Sequence, residues 1–303
     1  MSDISYDEFS LFHENLEEWG LHVPIPTVQR FYVAVDGLRQ LSGLRWGEGE
    51  PELVLVHGGA QNAHTFDTVA LAMQRPLIAL DLPGHGHSDH LAAGANYRYL
   101  DYVQAVLAAA EVLQLDRYSL LGHSLGAGIA ALVAAATPGR IEQLLLIEGL
   151  GPLGDDGIHT LQRFRDAFAP RGQHAKPLRV FRSIEQAASA RNLVSGLAAE
   201  LAQPIALRGL IETEGGWRWR SDPRLTQPSP VRLAESQIHA LLRGIEAPTA
   251  LMLAQPATSY LPSAPMQARV ACVPNITVTH LDGGHHLHLE HPTAVAAWID
   301  ASK

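Results

Sequence analysis

Apolar residues fall into short blocks with two different periods. RFYVAV (30–35) and LRQLSGLRW (38–46) alternate as half-buried strands do, and Asp36-Gly37 between them is a hairpin turn signal. ELVLVHGG (52–59) is continuously apolar until its glycines, the pattern of a strand covered on both faces, and PLIALDLPGHGHSD (76–89) repeats it. Residues 97–115 place Tyr99, Tyr102, Val103, Val106, Leu107 and Leu113 at helical spacing. RYSLLGHSLGAGIAALVAAATP (117–138) reads strand, sharp turn, alanine-rich helix, and RIEQLLLIEGLGP (140–152) is another buried strand.

The alternation stops after Pro152. Residues 153–235 are richer in Arg, Gln and Pro and carry helical patches without a clear buried strand. It resumes with a helix near 234–243, a strand at 248–254, a helix near 259–271, a strand at 275–281 and a last helix from Pro292. Strands alternating with helices build βαβ units around a mostly parallel sheet, here of about eight strands. The expected organisation is a core of residues 1–151 and 236–303, interrupted by a mainly helical cap at 152–235.

A chain of 303 residues, 47% hydrophobic, is long enough for such a core. The net charge of −9 argues against nucleic-acid or anionic-membrane partners. Cys272 is the only cysteine, which excludes an intrachain disulfide and a thiolate metal cluster, and its apolar surroundings suit a buried inert thiol. The acidic N-terminal stretch lacks the basic and apolar regions of a secretory signal, and no apolar run has the length of a membrane span. A cytoplasmic location is the expectation.

Chemistry concentrates in three places. Gly122-His123-Ser124-Leu125-Gly126 matches G-x-S-x-G, and it lies between a strand and a helix, the context in which that motif presents a serine nucleophile on a strained turn. The helix N-terminus beyond it favours an oxyanion, and His57-Gly58-Gly59-Ala60 supplies a second loop of backbone donors. The Gly59 and Leu125 N–H groups are therefore assigned to an oxyanion hole. Third, LDGGHHLHLEHP (281–292) offers four histidines after the last strand, of which His285 is the first imidazole on the loop opened by Gly283 and Gly284. A metal site is not expected there, because adjacent histidines project differently and no H-E-x-x-H spacing occurs. His57, His123, Trp217 and Trp219 are candidate pocket residues. The two tryptophans serve equally well as anchors of the cap on the core.

With these motifs in place, the chain resembles the α/β-hydrolase fold superfamily with a helical cap after strand six. The resemblance rests on HGG (57–59), DLPGHGHSD (81–89), GHSLG (122–126) and GGHHLHLEHP (283–292). EGGWRWRSDPRL (214–225) and the histidine-rich tail look like serine hydrolase-like proteins of that superfamily. In the family's usual ending a proline stands seven residues after the base, which again selects His285.

The resemblance also exposes a gap. Most members carry the triad acid after strand seven, but PTALMLAQPATSY (248–260) has no carboxylate there, only Gln255, Ala257 and Thr258. Glu148, at the end of strand six and 24 residues beyond Ser124, is the expected replacement, an arrangement similar to one branch of haloalkane dehalogenases. Asp282 is the fallback. The reaction implied is hydrolysis of a small-molecule carboxylic ester through a Ser124-His285-Glu148 triad and an acyl-enzyme, with no cofactor. Carbon–carbon bond hydrolysis, lactone opening, a metal-dependent reaction and a non-catalytic binding protein are the alternatives, since fold alone does not fix function.

Overall fold

The structure is a computed structural model that describes residues 8–36, 38–169, 179–258 and 260–303. Gly37 of the expected turn, residues 170–178 of the expected cap and residue 259 at the start of an expected helix lie outside that set. In chain order the elements are α1 (Ser10–Asn15), β1 (Val28–Val35), β2 (Leu38–Trp46), β3 (Leu53–Val56), α2 (Asp67–Met73), β4 (Leu77–Leu80), α3 (Tyr99–Val112), β5 (Tyr118–His123), α4 (Leu125–Ala136) and β6 (Ile141–Ile147). There follow α5 (Thr160–Phe168), α6 (Ile184–Ser195), α7 (Ala199–Gly209), β7 (Leu210–Thr213), β8 (Gly216–Trp219), α8 (Glu235–Arg243), β9 (Thr249–Gln255), α9 (Ser263–Val270), β10 (Ile276–Asp282), α10 (Leu287–Glu290) and α11 (Pro292–Ala301).

Eight strands form one sheet in the order β1-β2-β4-β3-β5-β6-β9-β10. The β1–β2 and β2–β4 pairs are antiparallel, and every pair from β4 to β10 is parallel. The continuous apolar strands are explained by the sheet's two covers. Val54, Val56, Ile78, Leu80, Leu120, Leu144 and Leu146 pack with α3, α4, α8 and α9 on one face. Their alternating neighbours Leu53, Leu55, Leu77, Ala79, Leu121, Leu145 and Ile147 pack with α1, α2 and α11 on the other. A strand with both faces covered has no solvent side to mark with polar residues, and each buried aliphatic side chain contributes about 1.5–3 kcal/mol.

The chain leaves the sheet after β6 and rejoins it at β9. The intervening segment holds the expected helices, but it also contains an antiparallel hairpin, β7–β8, that the sequence reading left out. Four-residue strands carry too few positions for a period-2 signal to stand out. Gly215 and Gly216, both at positive φ, make the turn. Among the described residues, no helix is long and apolar enough to cross a membrane.

One buried ion network pins this segment to the core. Arg208, at the end of α7, is fully buried and contacts Asp81 just beyond β4 at 2.8 Å and Glu8 at 2.9 Å. Its third donor direction reaches Ser42 Oγ at 3.0 Å. Asp81 also accepts the Ala63 N–H, so the same carboxylate fixes the loop after β3. The sequence signal for this pin was Arg208 inside the apolar stretch IALRGL, and the partners lie too far along the chain to be matched by inspection.

Candidate active site

Ser124 sits between β5 and α4 with φ 53° and ψ −113°, a backbone conformation that costs a non-glycine residue about 1–3 kcal/mol. The small residues around it are required by space. A side chain at Gly126 would run into the carbonyl of Val56, and one at Gly122 into that of Gly126. The turn exposes the Ser124 side chain at the head of α4, where Leu125 contributes the first backbone N–H of the helix.

His285 lies on the loop between β10 and α10. Its Nε2 is 3.0 Å from Ser124 Oγ, and its Nδ1 is 3.1 Å from Glu148 Oε2. Residues 124, 148 and 285, distant in sequence, therefore form one hydrogen-bonded line. Asp282, the fallback acid, is exposed at the end of β10. Glu148 is fully buried just past β6, also at positive φ.

The acid-free loop after β9 has a definite part in this arrangement. Glu148 Oε1 accepts the Ala254 N–H at 2.6 Å, and Oε2 accepts the Thr258 hydroxyl at 2.7 Å. Burial alone would raise the Glu148 pKa. The hydrogen bonds from His285, Ala254 and Thr258 outweigh it and hold the carboxyl below its ordinary value, so Glu148 is an anion at neutral pH. Thr258 offers no carboxylate of its own, but its hydroxyl supports that of Glu148.

Gly59 borders Leu125: a Cβ on Gly59 would lie 3.9 Å from the Leu125 side chain. The neighbouring Gly58 N–H is taken by Gln61 Oε1 at 3.0 Å. Gly59, in the loop after β3, and Leu125, at the start of α4, are thus neighbours.

Two of the expected pocket residues are elsewhere. His57 is fully buried, its Nδ1 donating to Gly58 O at 2.7 Å and its Nε2 accepting the Leu82 N–H at 2.9 Å. It braces β3 against the loop after β4, and burial lowers its pKa to about 3, which keeps it neutral. His123 is buried under the site, not in a pocket, with its Nε2 2.8 Å from the His285 carbonyl and its ring 4.2 Å from that of His288. The tryptophans divide. Trp219 borders a cavity of about 360 Å³ together with Ala60, Gln61, Asn62, Phe181 and Arg191. Trp217 is not among that cavity's lining residues and bonds through its backbone to Phe181, while both tryptophans pack against the small apolar cluster of α6, α7 and β7.

A model of the alpha/beta hydrolase family matches residues 53–298. A serine hydrolase-like protein of Dictyostelium discoideum is 29% identical over 268 residues, covering 82% of this chain and 74% of its own. An esterase of Mycobacterium tuberculosis is 37% identical over a shorter stretch of 142 residues, 47% of this chain and 46% of the relative. Among solved structures, a hypothetical protein of Pseudomonas aeruginosa aligns with a TM-score of 0.81 at 36% identity, covering 90% of this chain and 98% of that one. The chain belongs to the alpha/beta hydrolase family, in its serine hydrolase-like subgroup.

Proposed function

We propose that the protein hydrolyses a small carboxylic ester, with Ser124 as nucleophile, His285 as general base and then acid, and Glu148 as the orienting anion. The observation that carries this reading is the pair of contacts at 3.0 Å and 3.1 Å through the two nitrogens of His285. Glu148 fixes the proton on Nδ1, so Nε2 presents its lone pair to the Ser124 hydroxyl. Ser124 Oγ attacks the ester carbonyl carbon while its proton passes to His285 Nε2. The oxyanion takes hydrogen bonds from the Gly59 and Leu125 N–H groups. His285 then returns the proton to the departing alkoxide, leaving the acyl group on Ser124. A water deprotonated by His285 attacks the acyl-enzyme and releases the acid.

Residues 152–235 serve in this reading as a cap over the strand ends, and the cavity beside Trp219 and Gln61 as part of the substrate space. The M. tuberculosis relative, named an esterase, supports the choice of ester over other acyl substrates. The test is a rate series on nitrophenyl esters of increasing acyl length, combined with labelling by a fluorophosphonate. Turnover and labelling both lost in Ser124→Ala are the expected result. Ester turnover that survives in Ser124→Ala would overturn the assignment, and a protein that is neither labelled nor active would be a binding protein.

A further inference from the structure

Neighbouring histidines on one loop point apart, which along the sequence argues against a metal there. The fold changes the set of candidates by bringing a histidine from another strand. His123, at the end of β5, meets His286 and His288, and one ring nitrogen from each lies within 4.8 Å of the others. His123 and His288 are buried and His286 is half-buried.

The hydrogen bonds around this cluster do not close. His123 Nε2 faces the His285 carbonyl at 2.8 Å and must donate to it. A neutral imidazole then has only a lone pair left on Nδ1, yet Nδ1 faces Gln61 Oε1 at 3.2 Å. That oxygen is itself fixed as an acceptor by the Gly58 N–H at 3.0 Å, so two lone pairs oppose one another. Gln61 Nε2 points at His286 Nδ1 at 3.2 Å, leaving that nitrogen an acceptor too. His288 directs Nε2 at Thr65 Oγ1, and its buried Nδ1 has no hydrogen-bond partner among the described residues. The cluster thus sets the His123 lone pair against an amide oxygen and leaves the buried His288 Nδ1 without a partner among the described residues.

We propose that His123, His286 and His288 bind one borderline divalent cation, of the Zn²⁺ or Cu²⁺ class, and that its binding restrains the catalytic loop. Three imidazoles without a carboxylate suit such ions and not Ca²⁺ or Mg²⁺. At a bond length of about 2.0–2.1 Å, nitrogens on a tetrahedral ion stand about 3.4 Å apart, so the cluster contracts on binding. His286 makes the movement, being the half-buried member on a loop, and it gives up Gln61 to do so. The ion then ties residue 286 to β5 and restrains the adjacent His285 against the movement that its two proton transfers require. The consequence for turnover rests on the triad proposed above; the binding itself does not.

The experiment uses the full, untagged chain titrated with Zn²⁺ by calorimetry, with binding stoichiometry as the readout and ester turnover measured in parallel. One ion per chain is expected, with turnover falling as the site fills. His286→Gln should weaken binding by at least about tenfold, since even supporting residues of metal sites cost that much. His13→Gln, an exposed histidine on α1, should bind as the parent does. His285→Gln should also bind the ion, which separates this site from chelation by the triad itself. Unchanged affinity in His286→Gln, or binding lost in His285→Gln, would overturn the proposal. Cu²⁺ paramagnetic resonance on the unaltered chain needs no variant to fold: nitrogen coupling supports the site, and a spectrum without it refutes the site. Ion binding without nitrophenyl ester turnover would leave the site standing and fault the triad instead.

Discussion

Replacing Glu148 by glutamine changes one atom and should remove most of the activity. Among the described residues the carboxylate takes hydrogen bonds from His285 Nδ1 at 3.1 Å, Thr258 Oγ1 at 2.7 Å and Ala254 N at 2.6 Å. An amide cannot accept all three. With its NH₂ toward Ala254, two N–H groups oppose each other at a distance meant for a hydrogen bond. With its NH₂ toward His285, the amide donates to Nδ1 and shifts the ring proton to Nε2, where it blocks proton transfer from Ser124. The charge is lost as well. An imidazolium and a carboxylate 3.1 Å apart attract by about 5 kcal/mol at an effective dielectric constant of about 20. The exposed part of His285 reduces that figure, and each ~1.4 kcal/mol is a factor of ten in rate. The expected fall in kcat is about a thousand- to ten-thousand-fold, similar to acid-to-amide changes in other triads. KM should stay close to that of the parent, because Glu148 faces His285 and the β9 loop. Stopped-flow or steady-state kinetics on a nitrophenyl ester, with circular dichroism to verify folding, measures both. A folded Glu148→Gln protein with kcat within tenfold of the parent would refute the reasoning.

Three further outcomes follow from the geometry. Ser124→Gly should be more stable to denaturant than Ser124→Ala by about 1 kcal/mol, since only glycine adopts the φ of 53° without strain, and equal midpoints would remove the strain argument. Arg208→Met should cost about 3–5 kcal/mol in urea unfolding by leaving Asp81 and Glu8 as uncompensated buried charges; a cost under 1 kcal/mol would mean the network does not hold α7 to the core. Burial lowers the pKa of His64, but Asp67 at 2.7 Å and Glu8 at 3.5 Å outweigh it and raise it to about 9. A raised folded-state pKa contributes stability that is complete below the unfolded value of about 6.5 and is lost as pH rises toward 9, so the decline seen across that range should be absent in His64→Gln.

Much of this protein was legible along the chain because its signals are local. Buried strands read as continuous apolar runs, helices as a longer period, and the serine turn as a motif whose glycines are demanded by the Val56 and Gly126 carbonyls. His285 stands out by its place on a glycine loop, and Glu148 through the family resemblance, whose usual acid position after strand seven holds no carboxylate here. What the chain could not convey is which side chains meet. His57 and His123 look like pocket residues beside their motifs, but both point into the core, where backbone groups take both nitrogens of His57 and one of His123. The same packing placed His123 against a tail more than 160 residues away and closed Arg208 onto Glu8 and Asp81. The β7–β8 hairpin was missed because strands of four residues carry little period and owe their stability to Phe181 and α7. Hydrophobic period and turn chemistry act over a few residues and are written in order. The pairing of charges, the orientation of an imidazole and the support of Glu148 by Thr258 depend on distances that exist only once the sheet has brought its strand ends together.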